Sequence, residues 1–318
     1  MTTDHVAIVV TPGSGEGRAP RLAKRLRRLL RRRGRPATVR HFRDLPSLVG
    51  WAETCERDMS HIVCVGGDAT QSAAALAAIR TAAPFVPVPT GFGNIFARVF
   101  RHPMKAKAVV RLLERGELRR VDVGVAATAR GEELFLSHRS FGLLEQIQDM
   151  AERGRRQPRS RTLRYWWYWA TAYRLLFRER LASFGVEIDG HPVTDDAVLV
   201  TVANVETYRG FLSLTPTASP IDGLFDVAVI RRVSKLGLLA RLVRLMLDAP
   251  GRWRGIEIYR GRRVVVTTPR RRETLSVRRR ALPLLVPRGS VRALEQRTLE
   301  DPRRDDAPAS PGCVPGGG

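Results

Sequence analysis

Hydrophobic and polar positions in the first third of the chain switch between two periods. Short, nearly unbroken apolar runs at His5–Val10, Ala37–His41, Ile62–Val65 and Phe85–Val88 have the length and β-branched content of buried parallel strands. Segments with helical spacing lie between them. Arg18–Arg33 puts Leu22, Leu26, Leu29 and Leu30 on one face and arginines elsewhere; Leu48–Arg57 and Thr70–Arg80 read the same way. Such strand–helix alternation predicts a parallel sheet with helices on both faces.

After about residue 120 the pattern shortens. Runs at Val121–Val125, Leu134–Ser137, Leu181–Ile188, Ala197–Ala203, Phe225–Ile230, Ile256–Tyr259, Arg263–Thr267 and Leu284–Pro287 are separated by turns such as Asp189-Gly190. They predict an antiparallel β domain with helical insertions near 161–180 and 234–248. The expected organisation is a Rossmann-like parallel α/β domain at 1–122 and an antiparallel β-sandwich domain at 123–298. The last segment of the sandwich domain is free to return to the first domain, and a Pro/Gly/Asp-rich tail at 299–318 is expected to be disordered.

Charge adds a partner class. Among 318 residues, Lys plus Arg is 55 and Asp plus Glu is 31, a net +24. Almost all the excess is arginine, which reads either as the habit of a GC-rich genome or as attraction to a polyanion. The three cysteines, Cys55, Cys64 and Cys313, have no metal-ligand spacing and imply no disulfide framework. The start, MTTDHVAIVV, has no signal-peptide shape, and no run of about 18 apolar residues occurs. A cytoplasmic protein, able to lie on the inner face of a membrane, is expected.

Candidate chemistry lies where strands meet helices. Val65 is followed by Gly66-Gly67-Asp68, the first strand by Thr11-Pro12-Gly13-Ser14-Gly15, and the fourth by Gly91-Phe92-Gly93-Asn94. Ligands of open α/β sheets bind at the carboxyl ends of strands, where glycines admit close approach and helix N-termini attract phosphate. One acid among phosphate-binding loops is suited to Mg2+-bound water or to a hydroxyl proton.

These residues resemble the diacylglycerol kinase catalytic-domain family, which includes bacterial lipid kinases and the sphingosine and ceramide kinases and shares its fold with NAD kinase. Thr11–Gly15 matches the family's NPxSG with Thr for Asn. Gly66-Gly67-Asp68-Ala69-Thr70 matches GGDGT, and Pro89–Arg98 matches PLGTGNDFAR. Phe135-Leu136-Ser137 with Ser140 and Gly142 echoes FLNxxSxG; Asn204, Gly210, Pro216, Ala218 and Asp222–Val227 echo the N…G…P.A…DGLLDV run.

The resemblance implies a cleft between the two domains and transfer of the ATP γ-phosphate to a lipid hydroxyl with Mg2+. Asp68 would be the catalytic acid. Thr11, Gly13, Ser14, Gly15, Gly66, Gly67, Asp68, Ala69, Thr70, Gly91, Gly93, Asn94 and Arg98 would bind nucleotide, and Asp222 and Asp226 metal. A lipid alcohol and an anionic membrane surface are the implied partners. Nucleic acid, through the Arg-rich helix at 18–35, is not expected, and the oligomeric state is left open, a homodimer included. NAD kinase shares the GGDGT-type loop but lacks the two longer runs.

Departures bear on activity. Ala69 replaces a glycine, at a cost on the order of 1 kcal/mol if that position needs φ > 0. Phe92 replaces threonine, Ile95 the acid of GND, and Ile221 the first acid of a DDG that helps hold Mg2+ in bacterial members. The family's DGE, taken as the general base, meets Val277-Arg278-Arg279-Arg280-Ala281-Leu282-Pro283, with no acid between Glu273 and Glu295. An active kinase and a nucleotide- or membrane-binding pseudokinase are therefore both carried forward. Tyr165-Trp166-Trp167-Tyr168-Trp169 suits either a bilayer interface or burial on the β domain. Leu236–Met246 reads as a docked amphipathic helix.

Overall fold

The computed structural model describes residues 5–11, 17–91, 93–129, 131–146, 167, 170–171, 173–177, 182–206, 214–246, 255–269 and 271–292. In the first region β1 (His5–Val10), α1 (Arg18–Arg31), β2 (Ala37–His41), α2 (Leu45–Thr54), β3 (Met59–Gly66), α3 (Asp68–Thr81) and β4 (Phe85–Pro89) alternate as expected. Two short helices follow, α4 (Ile95–Val99) and α5 (Ala106–Arg115). The pattern reading passed over α5, although Val109, Val110, Leu112 and Leu113 bury one face of it.

The strand order β4-β3-β1-β2, all parallel, is that of a doubly wound sheet. On one face α1 buries Ala19, Ala23, Leu26 and Leu30 against Ile8, Val63 and Val86. Each fully buried leucine stabilises the fold by at most about 2 kcal/mol. On the other face lies alanine-rich α3, whose small side chains permit close approach, with Leu48 of α2 and Phe96 and Phe100. Asp44 caps α2 by accepting from Ser47 N at 2.9 Å.

The second region contains β5 (Glu117–Thr128), β6 (Gly131–Phe135), β7 (His138–Gly142), β8 (Phe184–Ile188), β9 (His191–Ala203), β10 (Phe225–Arg231), α6 (Lys235–Met246), β11 (Glu257–Gly261), β12 (Arg263–Thr267) and β13 (Arg272–Val286). The pairs of β10 with β9 and β11, and of β8 with β9 and β12, are antiparallel. α6 docks through Leu238, Leu242 and Leu245. Of the aromatic stretch only Trp167 falls among the described residues; Tyr165, Trp166, Tyr168, Trp169 and the tail at 299–318 lie outside them.

Two strands join the regions. The boundary expected at 122/123 falls inside β5, which pairs along β13. β13 begins against β12 and ends beside β4, at Leu284↔Phe85, making one hydrogen-bonded sheet of 13 strands among the described residues. Only the end of β13, from Leu284, is apparent in the sequence, because its middle is a run of arginines. That run forms a bulge between Arg278 and Leu282, with Arg280 left-handed at φ 46°.

Candidate active site

β1, β3 and β4 are adjacent and parallel, so Thr11, Gly66-Gly67 and Thr90-Gly91, the described starts of the glycine loops, leave one end of the sheet. They are tied to one another. Thr11 Oγ1 and Thr70 Oγ1 share a buried hydrogen bond of 2.9 Å. Thr90 N donates to Gly66 O at 3.2 Å. A Cβ on Gly91 would sit 2.7 Å from Gly67 Cα, and one on Gly93 would sit 2.8 Å from Asp68 Oδ2. These glycines are required because loop lies on loop. Asn94, left-handed at φ 50°, closes its own loop: its Oδ1 accepts from Gly91 N at 2.8 Å and its Nδ2 donates to Gly91 O at 2.6 Å.

Asp68 is the centre of this knot. It opens α3 and also caps α4 from outside, Oδ2 accepting from Asn94 N at 2.6 Å and Oδ1 from Ile95 N at 2.8 Å. Burial raises its pKa, against the pull of the Asn94, Ile95 and Phe96 N–H groups. Each carboxylate oxygen therefore already serves as an acceptor for backbone. Nearby, Gln71 Oε1 and Thr90 Oγ1 are buried without a hydrogen-bond partner among the described residues, although Gln71 Nε2 donates to Gly66 O at 3.0 Å.

The departures now have local explanations. Ala69 is exposed in the first turn of α3, where alanine is well suited, and its φ is not positive; the expected penalty is absent. Ile95 and Ile221 pack against the cluster containing Phe96 and Leu136, as core residues. Arg98 is exposed on α4. Gly13, Ser14, Gly15, Phe92 and Gly210 lie outside the described residues.

A second cluster gathers three acids, of which sequence reading missed Asp122. Asp122 is buried in β5; its Oδ1 accepts from Arg280 N and its Oδ2 from Gly223 N, both at 2.7 Å. Asp222 Oδ1 accepts from Leu224 N at 3.0 Å and its Oδ2 from Arg260 Nη2. Asp226 Oδ1 accepts from Arg260 Nε at 3.2 Å and its Oδ2 from the Thr217 hydroxyl. Burial raises the pKa of Asp122, against the Arg280 and Gly223 N–H groups and the Arg279 and Arg280 charges. Burial pushes Asp222 up to about 7, against the Arg260 charge.

The expected metal pair, Asp222 and Asp226, thus holds a guanidinium, and this donor set does not fit a divalent ion. Among the described residues no group of three His, Cys, Asp or Glu side chains is arranged to hold a metal. The signals for the missed residues are faint: an acid inside the apolar run VDVGVA for Asp122, and for Arg260 only the register Asp226↔Arg260 between β10 and β11. The two clusters are connected. Ser72 Oγ of α3 accepts from Leu136 N at 3.3 Å, and Asn204 Nδ2 donates to Leu136 O and Asp122 O, both at 3.0 Å. No helix among the described residues is long and apolar enough to cross a membrane.

Comparison with known proteins gives the same architecture. A curated diacylglycerol kinase from Mycobacterium tuberculosis is 29% identical over 181 residues, 56% of this chain and 57% of the relative. The match therefore spans little more than half of that relative's length. Two crystal structures from Bacillus anthracis, each described as a putative diacylglycerol kinase, superpose with TM-score 0.67. Their identities are 17% and 16%, with 91% and 90% of this chain and 99% and 98% of theirs covered, which establishes the fold. Residues 5–126 match the model of the diacylglycerol kinase catalytic domain. Residues 140–278 match the YegS C-terminal NAD kinase beta sandwich-like domain. With both halves matched in order on one continuous fold, the chain belongs to the diacylglycerol kinase family.

Proposed function

We propose that this chain transfers the γ-phosphate of ATP to the hydroxyl of a lipid alcohol, with the nucleotide seated over the three joined loops. The observation that carries this reading is the convergence of Thr11–Thr70, Gly67–Gly91 and Asp68–Asn94 at one sheet edge, beside the first turn of α3. The N–H groups of that turn favour phosphate. Asp68 acts as a positioning residue, fixing the Gly91–Ile95 loop against α3 while the loops hold the phosphates. Phosphoryl transfer depends chiefly on positioning and charge stabilisation, so the missing DGE acid is compatible with turnover. A divalent ion, which the family implies beside ATP, supplies charge neutralisation when bound.

A membrane surface supplies the acceptor in this reading. From Gly17 to Arg43 the chain has no acid and 12 Lys or Arg residues, most of them on exposed positions of α1 and its flanks. Such a face favours anionic lipid. A second reading, binding of nucleotide without transfer, is favoured by one observation: no acid lies between Glu273 and Glu295, the stretch in which the family resemblance implies a DGE.

The test is lipid-dependent transfer from ATP by the full chain, with Mg2+ and micelles containing diacylglycerol, a sphingoid base, phosphatidylglycerol or a polyprenol. Ala69→Glu is the control. It places an anion at an exposed first-turn position that tolerates acid, and should weaken ATP binding about tenfold or more, worth about 1.4 kcal/mol or more, without loss of folding. ATP binding unchanged in this variant would remove the nucleotide from the proposed seat. ATP bound tightly by the wild type with no lipid phosphorylated would favour the second reading.

A further inference from the structure

We infer that Arg260 is the resident cation of the acidic cluster at the joint between the two regions, so that Asp122, Asp222 and Asp226 are neutralised from within the chain and take no divalent metal. Three observations converge. First, each of the six carboxylate oxygens already accepts a hydrogen bond: two from Arg260, three from the backbone N–H groups of Gly223, Leu224 and Arg280, and one from Thr217. A metal would be left only the second lone pair of each oxygen and would have to approach them beside the Arg260 guanidinium.

Second, Arg260 is fixed. It lies directly across from Asp226 on neighbouring antiparallel strands and engages both acids, Nε to Asp226 and Nη2 to Asp222. Its side chain is 14% exposed, and those of Asp222 and Asp226 are 8% and 1% exposed. A planar guanidinium can bridge two carboxylates in this way, which a spherical ion would otherwise do. Third, the local charge is balanced. Besides Arg260, Arg279 lies over Gly223, and both Arg279 and Arg280 act on Asp122. A dication entering here would meet three cations beside the three acids. Ile221, partly buried against the hydrophobic cluster of the first region, brings no further side-chain oxygen.

This holds whether or not the chain transfers phosphate, so its test omits nucleotide and activity. Thermal unfolding of the full chain is measured in EDTA and in millimolar Mg2+ or Mn2+, with Mn2+ binding followed by electron paramagnetic resonance. The wild type should show the same midpoint in all three and no tightly bound Mn2+. Arg260→Ala, which takes the shared guanidinium from Asp222 and Asp226, should lower the midpoint in EDTA, and Mn2+ should restore part of the loss. Adding Asp222→Asn to that variant should abolish the restoration. A wild-type chain that binds one Mn2+, lost in Asp222→Asn, would overturn the inference. So would an Arg260→Ala variant that folds and is indifferent to Mn2+. Should Arg260→Ala fail to fold, the Mn2+ comparison of wild type with Asp222→Asn decides alone.

Discussion

Asp68 and Asp226 both withdraw a carboxylate from water, and they are compensated by different means. Around Asp68 the partners are backbone N–H groups of Asn94 and Ile95, at the start of a short helix. Asp226 and Asp222, beside the Thr217 hydroxyl and the Leu224 N–H, share one guanidinium reaching across a strand pair. Backbone donors survive any side-chain substitution short of proline and tie the acid to a loop's shape. A side-chain cation can be gained or lost by a single substitution.

Removing the cation should be the most damaging change. Arg260→Met takes the shared guanidinium from two buried acids and should cost about 3–5 kcal/mol in urea unfolding. A loss near zero would mean that the two clusters do not differ in the way described. Asp68→Asn comes next. Its amide matches Asp in shape but presents N–H where the loop also presents N–H, so about 2–3 kcal/mol should be lost. This cost to the fold is separate from the catalytic role that the family resemblance implies for Asp68. An unchanged urea midpoint in Asp68→Asn would show that the loops hold together without the acid.

A smaller effect separates the regions by pH. His102 is buried just beyond α4, with neither ring nitrogen hydrogen-bonded among the described residues, and burial pushes its pKa down to about 3. Its folded pKa lies below the ordinary 6.5, so the unfolded chain binds the extra proton first. The contribution is therefore complete above about pH 6.5 and should be lost as pH falls toward 3. Unfolding midpoints of His102→Leu and wild type, compared across that range, should diverge downward for the wild type. Parallel curves would mean that His102 finds a partner when protonated. The smallest effect on stability is expected from Ala69→Glu, within about 0.5 kcal/mol of wild type at an exposed helix start. A large loss there would show that the first turn of α3 is closed to any ligand.

The sequence by itself determined the parallel α/β half and the glycine-rich turns at the ends of its strands. Its apolar runs are short and unbroken, its helices carry clear stripes, and glycine loops at strand ends are local features that survive in one dimension. The match of Gly66–Thr70 and Pro89–Arg98 to family motifs was legible for the same reason. Tertiary structure decided what these residues do. That the glycines serve loop-on-loop contact, that Asp68 caps a helix 26 residues away, and that Ala69 meets no strain follow from contacts between segments. Arg260 is the extreme case. Nothing near it in sequence marks it, because its role comes from the pairing of β10 with β11, and strand register is set by the burial of whole faces.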